Sequence, residues 1–125
     1  MTRTSISSGY PFEDTYGYAR AVRVGDHVFV SGTTARPPHL DGDAYAQMTN
    51  AIAIVAAALG EAGAELRNVV RTVVYVRDMA DVHHVARAHM ETFGTARPAS
   101  TLVQVTALTP RAALVEIEVT ALVHD

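Results

Sequence analysis

Apolar and polar positions alternate cleanly near the carboxyl end of the chain. Val115, Ile117, Val119, Ala121 and Val123 fall on one side of an extended backbone, and Leu114, Glu116, Glu118, Thr120 and Leu122 on the other. A period of two predicts a strand, with the first set facing a core. Val69 to Val76 is a nearly continuous β-branched run containing Tyr75, as in a buried central strand. Tyr18 to Val24 and His27 to Gly32 also read as strands, and Gly25-Asp26 between them makes the turn of a hairpin. Elsewhere the period changes. Ala44, Met48, Ile52, Val55 and Leu59 recur every three or four residues, which predicts a helix capped by Asp41 or Asp43, with Gly60 and Gly63 at its end. Val82, Val85, Ala86, His89 and Phe93 predict a second helix, with Asp78 as its cap. The stretch Thr33 to Gly42, punctuated by Pro37 and Pro38, reads as a loop.

The order strand, strand, helix, strand, helix, strand, strand implies an α+β fold with both helices on one face of a mixed sheet. We expect one domain spanning 1–125. The second face of the last strand mixes Leu and Thr with two carboxylates, so it is not an ordinary solvated surface. With no chain left to cover it, another subunit is the expected cover. The segment Arg97 to Val105 and the last strand are expected to bring a small-polar bend at Ser100-Thr101 near the carboxylate of Glu116.

Composition narrows the chemistry. The 125 residues are 49% hydrophobic and 18% charged, enough for one core. Cysteine is absent, which excludes disulfides, thiolate catalysis and sulfur-ligated zinc. All 10 basic residues are arginine, so a lysine Schiff base, a pyridoxal-phosphate anchor and a phosphate-loop lysine are excluded too. A net charge of -3 with scattered arginines argues against nucleic acid. Met1 to Ser5 leads into no apolar segment, and no apolar run reaches about 18 residues. The expectation is a cytoplasmic protein without membrane association. His83, His84 and His89 lack ligand spacing, with His83 and His84 expected on different sides of the helix, so no metal is expected. Neither Ser31 nor Ser100 lies in a nucleophile elbow, and the glycines form no dinucleotide fingerprint, so no cofactor is implied.

Tyr18-Ala19-Arg20-Ala21-Val22 with Gly25, Val28-Phe29-Val30-Ser31-Gly32, Ala62-Gly63, Val70 to Val76, Arg97-Pro98-Ala99 and Val115-Glu116-Ile117-Glu118 follow one another in the order and near the spacing of one family. By these landmarks the chain resembles the RidA (YjgF) family of imine-processing proteins over almost its whole length. The resemblance implies a chorismate-mutase-like α+β subunit, a homotrimer, and clefts at subunit interfaces. It also implies hydrolysis of a small enamine or imine to a carbonyl compound and ammonia. An imine carbon is already electrophilic, so such a site has to hold the substrate, position water and move a proton. By resemblance, Glu116 and Tyr18 are the candidate catalytic residues, and Ser31, Gly32 and Thr33 line the cleft.

One departure bears on substrate. Active family members carry a carboxylate-gripping arginine after the Pro-Ala pair, and here that residue is Ser100. A serine hydroxyl in place of a charge-assisted pair costs about 1.5 to 3 kcal/mol of binding. Efficient action on 2-aminoacrylate is therefore not expected. Ser100 and Thr101 become candidate polar contacts for another substrate, and Arg97 a candidate replacement cation or an ordinary surface arginine. Two readings stay open: an imine or enamine hydrolase with a different substrate, and a non-enzymatic trimer binding a small metabolite or a partner in the same clefts.

Overall fold

A computed structural model of the protein describes residues 2–124. The elements in chain order are β1 (Arg3–Ile6), α1 (Pro11–Tyr16), β2 (Ala21–Val24), β3 (His27–Thr33), α2 (Ala44–Glu61), β4 (Val69–Val76), α3 (Val82–Phe93), β5 (Ala99–Gln104) and β6 (Val115–Leu122). They build one 6-stranded sheet in the order β1-β2-β3-β6-β4-β5. Only β4 and β5 run parallel, joined by the crossover through α3. Helices α2 and α3 pack against each other on one face of the sheet.

The alternation of β6 is realised as expected. Val115, Ile117, Val119 and Ala121 are buried against the helices, and Glu116 and Glu118 stand on the other face. β6 lies at the centre, between β3 and β4, which explains why one of its faces carries the deepest apolar residues. Helix α2 buries the whole predicted stripe of Ala44, Met48, Ile52, Val55 and Leu59, and Asp43 caps it by accepting the Ala46 amide at 2.9 Å. Gln47 on the same helix is buried. Its Nε2 donates to the Leu40, Gly42 and Ala112 carbonyls, and its Oε1 accepts the Leu114 amide, so α2 holds the chain entering β6.

Several local expectations change. β2 begins at Ala21 rather than Tyr18, because its pairing with β3 ends at Ala21↔Val30 and the preceding residues leave the ladder. β1 and α1 were not expected: β1 buries only Ile6, after exposed Arg3, Thr4 and Ser5, too little apolar signal to read. Gly60 lies inside α2, and Gly63, at φ 81°, makes the left-handed turn beyond its end. In α3 the buried residues are Val85, Ala88 and Phe93, while Ala86 is exposed. At 3.6 residues per turn Ala86 lies about 100° from Val85, whereas Ala88 returns to the same side. His83 and His84, although successive residues leave the helix about 100° apart, lean together with their ring centroids 4.1 Å apart.

The face opposite the helices is left open in the subunit, where Phe29 is 48% and Val103 40% exposed. Among the described residues, no helix is long and apolar enough to cross a membrane.

Candidate functional site

The site grows around α1. Pro11 starts this single turn-and-a-half with its ring at the first helical position, and Gly17, at φ 87°, ends it. Within that helix Phe12 and Tyr16 are four residues apart and stack at 5.6 Å, and Tyr18 meets both edge-on at 6.2 and 5.9 Å. With Tyr10 they make an aromatic wall. Facing it are Ser31 and Gly32 of β3, Thr34 and Arg36 just beyond, Thr109, and Glu116 of β6, around a cleft of ≈ 560 Å³.

Arg20 organises the floor and is fully buried. Its Nη1 donates to the Gly32 carbonyl and to Thr33 Oγ1, both at 2.8 Å, and its Nη2 donates to the Tyr18 hydroxyl at 2.8 Å. Its Nε faces buried Glu13 at 3.4 Å. Glu13 also accepts from the Ser7 hydroxyl, the Ser8 amide and the Ser8 hydroxyl. Burial pushes the Glu13 carboxyl up, but the Ser8 and Ser7 donors and the Arg20 charge outweigh it and hold it below the usual range. Both buried charges are thereby satisfied, and the pair fixes the Tyr18 hydroxyl and the backbone of the Ser31-Gly32 turn. The Ser31 hydroxyl is itself tied to the Ala19 carbonyl at 2.7 Å.

Glu116 is different. No described residue donates a hydrogen bond to its carboxyl group. Burial pushes its pKa up, against the Arg20 and Arg36 charges and assisted by neighbouring Glu118. Its carboxyl packs on Gly32 so closely that a Cβ there would lie 2.9 Å from Cδ. The group is thus partly desolvated, lines the cleft and has its pKa raised above that of an ordinary glutamate, as suits one that takes and returns a proton. Arg36 stacks on the Tyr10 ring at 3.6 Å, and its Nη1 donates to Thr34 O and Oγ1 at 2.7 and 2.9 Å. Its backbone amide is held by Asn50 of α2 at 2.9 Å. Burial and the Arg20 charge pull its pKa down, against Tyr10, Tyr18 and Glu13.

Of the residues singled out by sequence, Tyr18, Ser31, Gly32 and Glu116 come together in this cleft. Thr33 is buried behind it, donating its hydroxyl to the Ser31 carbonyl. Ser100 and Glu116 are not brought together within the subunit. Ser100 pairs with Thr72 across β4 and β5, and its Oγ accepts the Thr72 hydroxyl at 2.7 Å, on the helix side of the sheet. Thr72 is buried and 2.8 Å from His89 Nε2 of α3. Thr101 falls on the opposite side, in register with Val73, on the edge strand. Arg97 is exposed before β5 with φ 50°, its Nε donating to the Gly94 carbonyl at 3.3 Å. Sequence reasoning passed over Arg36, Tyr10, Phe12, Tyr16, Thr109 and the Glu13–Arg20 pair. The signal available was local: four aromatic residues between Tyr10 and Tyr18, framed by Pro11 and Gly17.

An α+β subunit with its helices on one face and a carboxylate cleft at the end of its central strands defines a recognisable class of protein. Residues 12–123 match the family model described as endoribonuclease L-PSP. A crystal structure of a Mycobacterium tuberculosis member of the YjgF/YER057c/UK114 family superposes with a TM-score of 0.91 at 45% identity, over 98% of this chain and 100% of that one. An uncharacterized Streptomyces coelicolor protein is 40% identical over 93% of this chain and 89% of its own. The mouse 2-iminobutanoate/2-iminopropanoate deaminase is 32% identical over 83% of this chain and 79% of its own. The chain belongs to the RidA/YjgF family.

Proposed function

We propose that this protein hydrolyses the C=N bond of a small imine or enamine, with Glu116 moving the proton, in clefts completed by neighbouring subunits of a homotrimer. The observation that carries this reading is the Glu116 carboxyl itself: half-buried, with no described residue donating to it, and pressed against Gly32 in a cleft with Arg36 and an aromatic wall. A carboxyl group placed so has no structural bond to make and is available to a ligand and its water. The similarity to a mouse imine deaminase supports the reaction class.

The chemistry follows from the geometry. Water attacks the imine carbon while Glu116 accepts a water proton, and the C=N electron pair moves to nitrogen. Glu116 returns the proton to that nitrogen. The carbinolamine then collapses: Glu116 takes the hydroxyl proton and passes it to the amine nitrogen, the oxygen forms the carbonyl, the C–N bond breaks and ammonia leaves. The Tyr18 hydroxyl, fixed by Arg20, is positioned to orient the water or the substrate. The open sheet face bearing Phe29 and Val103 supports association through that face. Ser100 in place of the family arginine argues against 2-aminoacrylate as the preferred substrate.

The test is semicarbazide trapping of imines generated by an amino-acid oxidase from alanine, leucine and phenylalanine, with sedimentation velocity to give the mass. Acceleration over buffer by a trimer, lost in Glu116→Gln by on the order of 10²- to 10⁴-fold, is the expected result. A wild-type protein that leaves all three imines at the buffer rate overturns the hydrolase reading in favour of a non-enzymatic binding protein.

A further inference from the structure

We infer that Arg36 is the carboxylate-binding cation of this cleft, and that the ligand is a 2-imino or 2-oxo acid whose apolar side chain lies along Phe12, Tyr16 and Tyr18. This deepens the imine-site reading and rests on it for the identity of the reacting group. Three features carry it.

The first is the presentation of the guanidinium. Arg36 is anchored at its amide by Asn50, along its plane by Tyr10, and at Nη1 by Thr34. Nε and Nη2 donate to no described acceptor. Those two N–H groups share one edge of the fork, the edge that binds a carboxylate with two parallel hydrogen bonds. Its entropy of ordering is already spent by the three anchors, so the edge is preorganised.

The second is charge. Arg20 is matched by Glu13 within the fold. Arg36 lies within 4.0 Å of no described carboxylate, and both Arg20 and burial work against its charge. Glu116, the carboxyl group lining the cleft, forms no ion pair within 4.0 Å with Arg36. Arg36 is thus without an ion-pair partner among the described residues, and a carboxylate on its open edge supplies one.

The third is the surroundings. Ser100, the position vacated by the family arginine, spends its oxygen on Thr72 on the far side of the sheet, and Arg97 lies outside the cleft lining. Beside Arg36 the wall is aromatic, with Phe12 37% and Tyr16 76% exposed. Such a surface takes an apolar group next to the bound carboxylate.

Calorimetry on the assembled protein separates this from turnover. Phenylpyruvate is titrated against phenylacetone, which has the same ring and ketone but no carboxylate. Wild type is expected to prefer phenylpyruvate, and Arg36→Gln to lose phenylpyruvate by about ten- to hundredfold while phenylacetone changes little. Arg36→Lys, which keeps the charge without the fork, is expected to fall between them, and decides the matter if Arg36→Gln melts early. Arg67→Gln, on the exposed surface, serves as the charge control. Undiminished phenylpyruvate binding in both Arg36 variants, or no preference in wild type, overturns the assignment even if imines are hydrolysed. Arg36-dependent binding in a protein that hydrolyses no imine leaves the carboxylate site standing and removes the hydrolase.

Discussion

Gly32 and Glu116 are in direct contact: the space a Cβ would fill at residue 32 is occupied by the Glu116 carboxyl, whose Cδ lies 2.9 Å and whose oxygens lie 3.1 and 3.2 Å from it. The glycine is required by this close approach, not by its backbone angle. Because the obstructing group is the end of a flexible side chain, Gly32→Ala is expected to fold, within about 1 kcal/mol of wild type. The carboxyl must move, so imine turnover is expected to fall at least tenfold. Thermal melts beside trapping assays check this, and normal turnover with a displaced melt would show that the contact serves packing only.

Glu116→Gln has a stability signature distinct from its effect on rate. A carboxyl whose folded pKa is raised above the ordinary 4.5 binds its proton more tightly in the native state. Its contribution is therefore fully present below the unfolded value and is lost as pH rises through the folded one. Glutamine lacks this titration. Denaturant midpoints measured across that interval are expected to decline for wild type relative to Glu116→Gln, leaving the variant the more stable above it.

Glu13→Ala leaves the fully buried Arg20 charge without its carboxylate. Breaking a buried pair of this kind costs about 3 to 5 kcal/mol. Glu13 is also lowered in pKa, so its contribution is present above the unfolded value and is lost as pH falls through the folded one. Urea titrations near neutrality and under acid conditions are expected to show a large difference between wild type and variant that shrinks with acid. Because Arg20 fixes Tyr18 and the Gly32 carbonyl, turnover is expected to fall too.

Thr72→Val removes the hydroxyl that links His89 to Ser100. His89 loses its partner at a half-buried site, and a cost of about 1 to 3 kcal/mol follows. Burial holds the His89 pKa below the ordinary value, so in wild type stability is expected to fall as pH drops below 6.5. Ser100→Ala removes only the exposed end of this chain, and a smaller cost of about 0.5 to 1.5 kcal/mol is expected with imine turnover retained. Melting curves of the two variants, taken with the trapping assay, check both statements.

The order of the two long helices and of β2, β3, β4, β5 and β6 was legible in the sequence, because each repeats a local period strongly enough to name its buried face. Val115 to Ala121 and Ala44 to Leu59 are the clearest cases. β1 and α1 escaped because each is short and carries little apolar periodicity, while α1 is specified by Pro11 and Gly17 at its ends. Ala86 was misplaced because alanine is compatible with either face, and only the packing of Val85, Ala88 and Phe93 chooses between them.

The sequence by itself determined the family, the candidate carboxylate Glu116, and the neighbourhood of Tyr18, Ser31 and Gly32, since these sit at recognisable positions on or beside strands. Tertiary structure alone decided that Arg36 enters the cleft, that Arg20 is spent on Glu13, and that Ser100 turns toward Thr72. These outcomes depend on strand order and register, which join residues far apart in the chain, and on which face of the sheet a side chain meets. A one-residue shift in strand register exchanges the two faces. No local pattern in the vicinity of Arg36 or Ser100 carries that information.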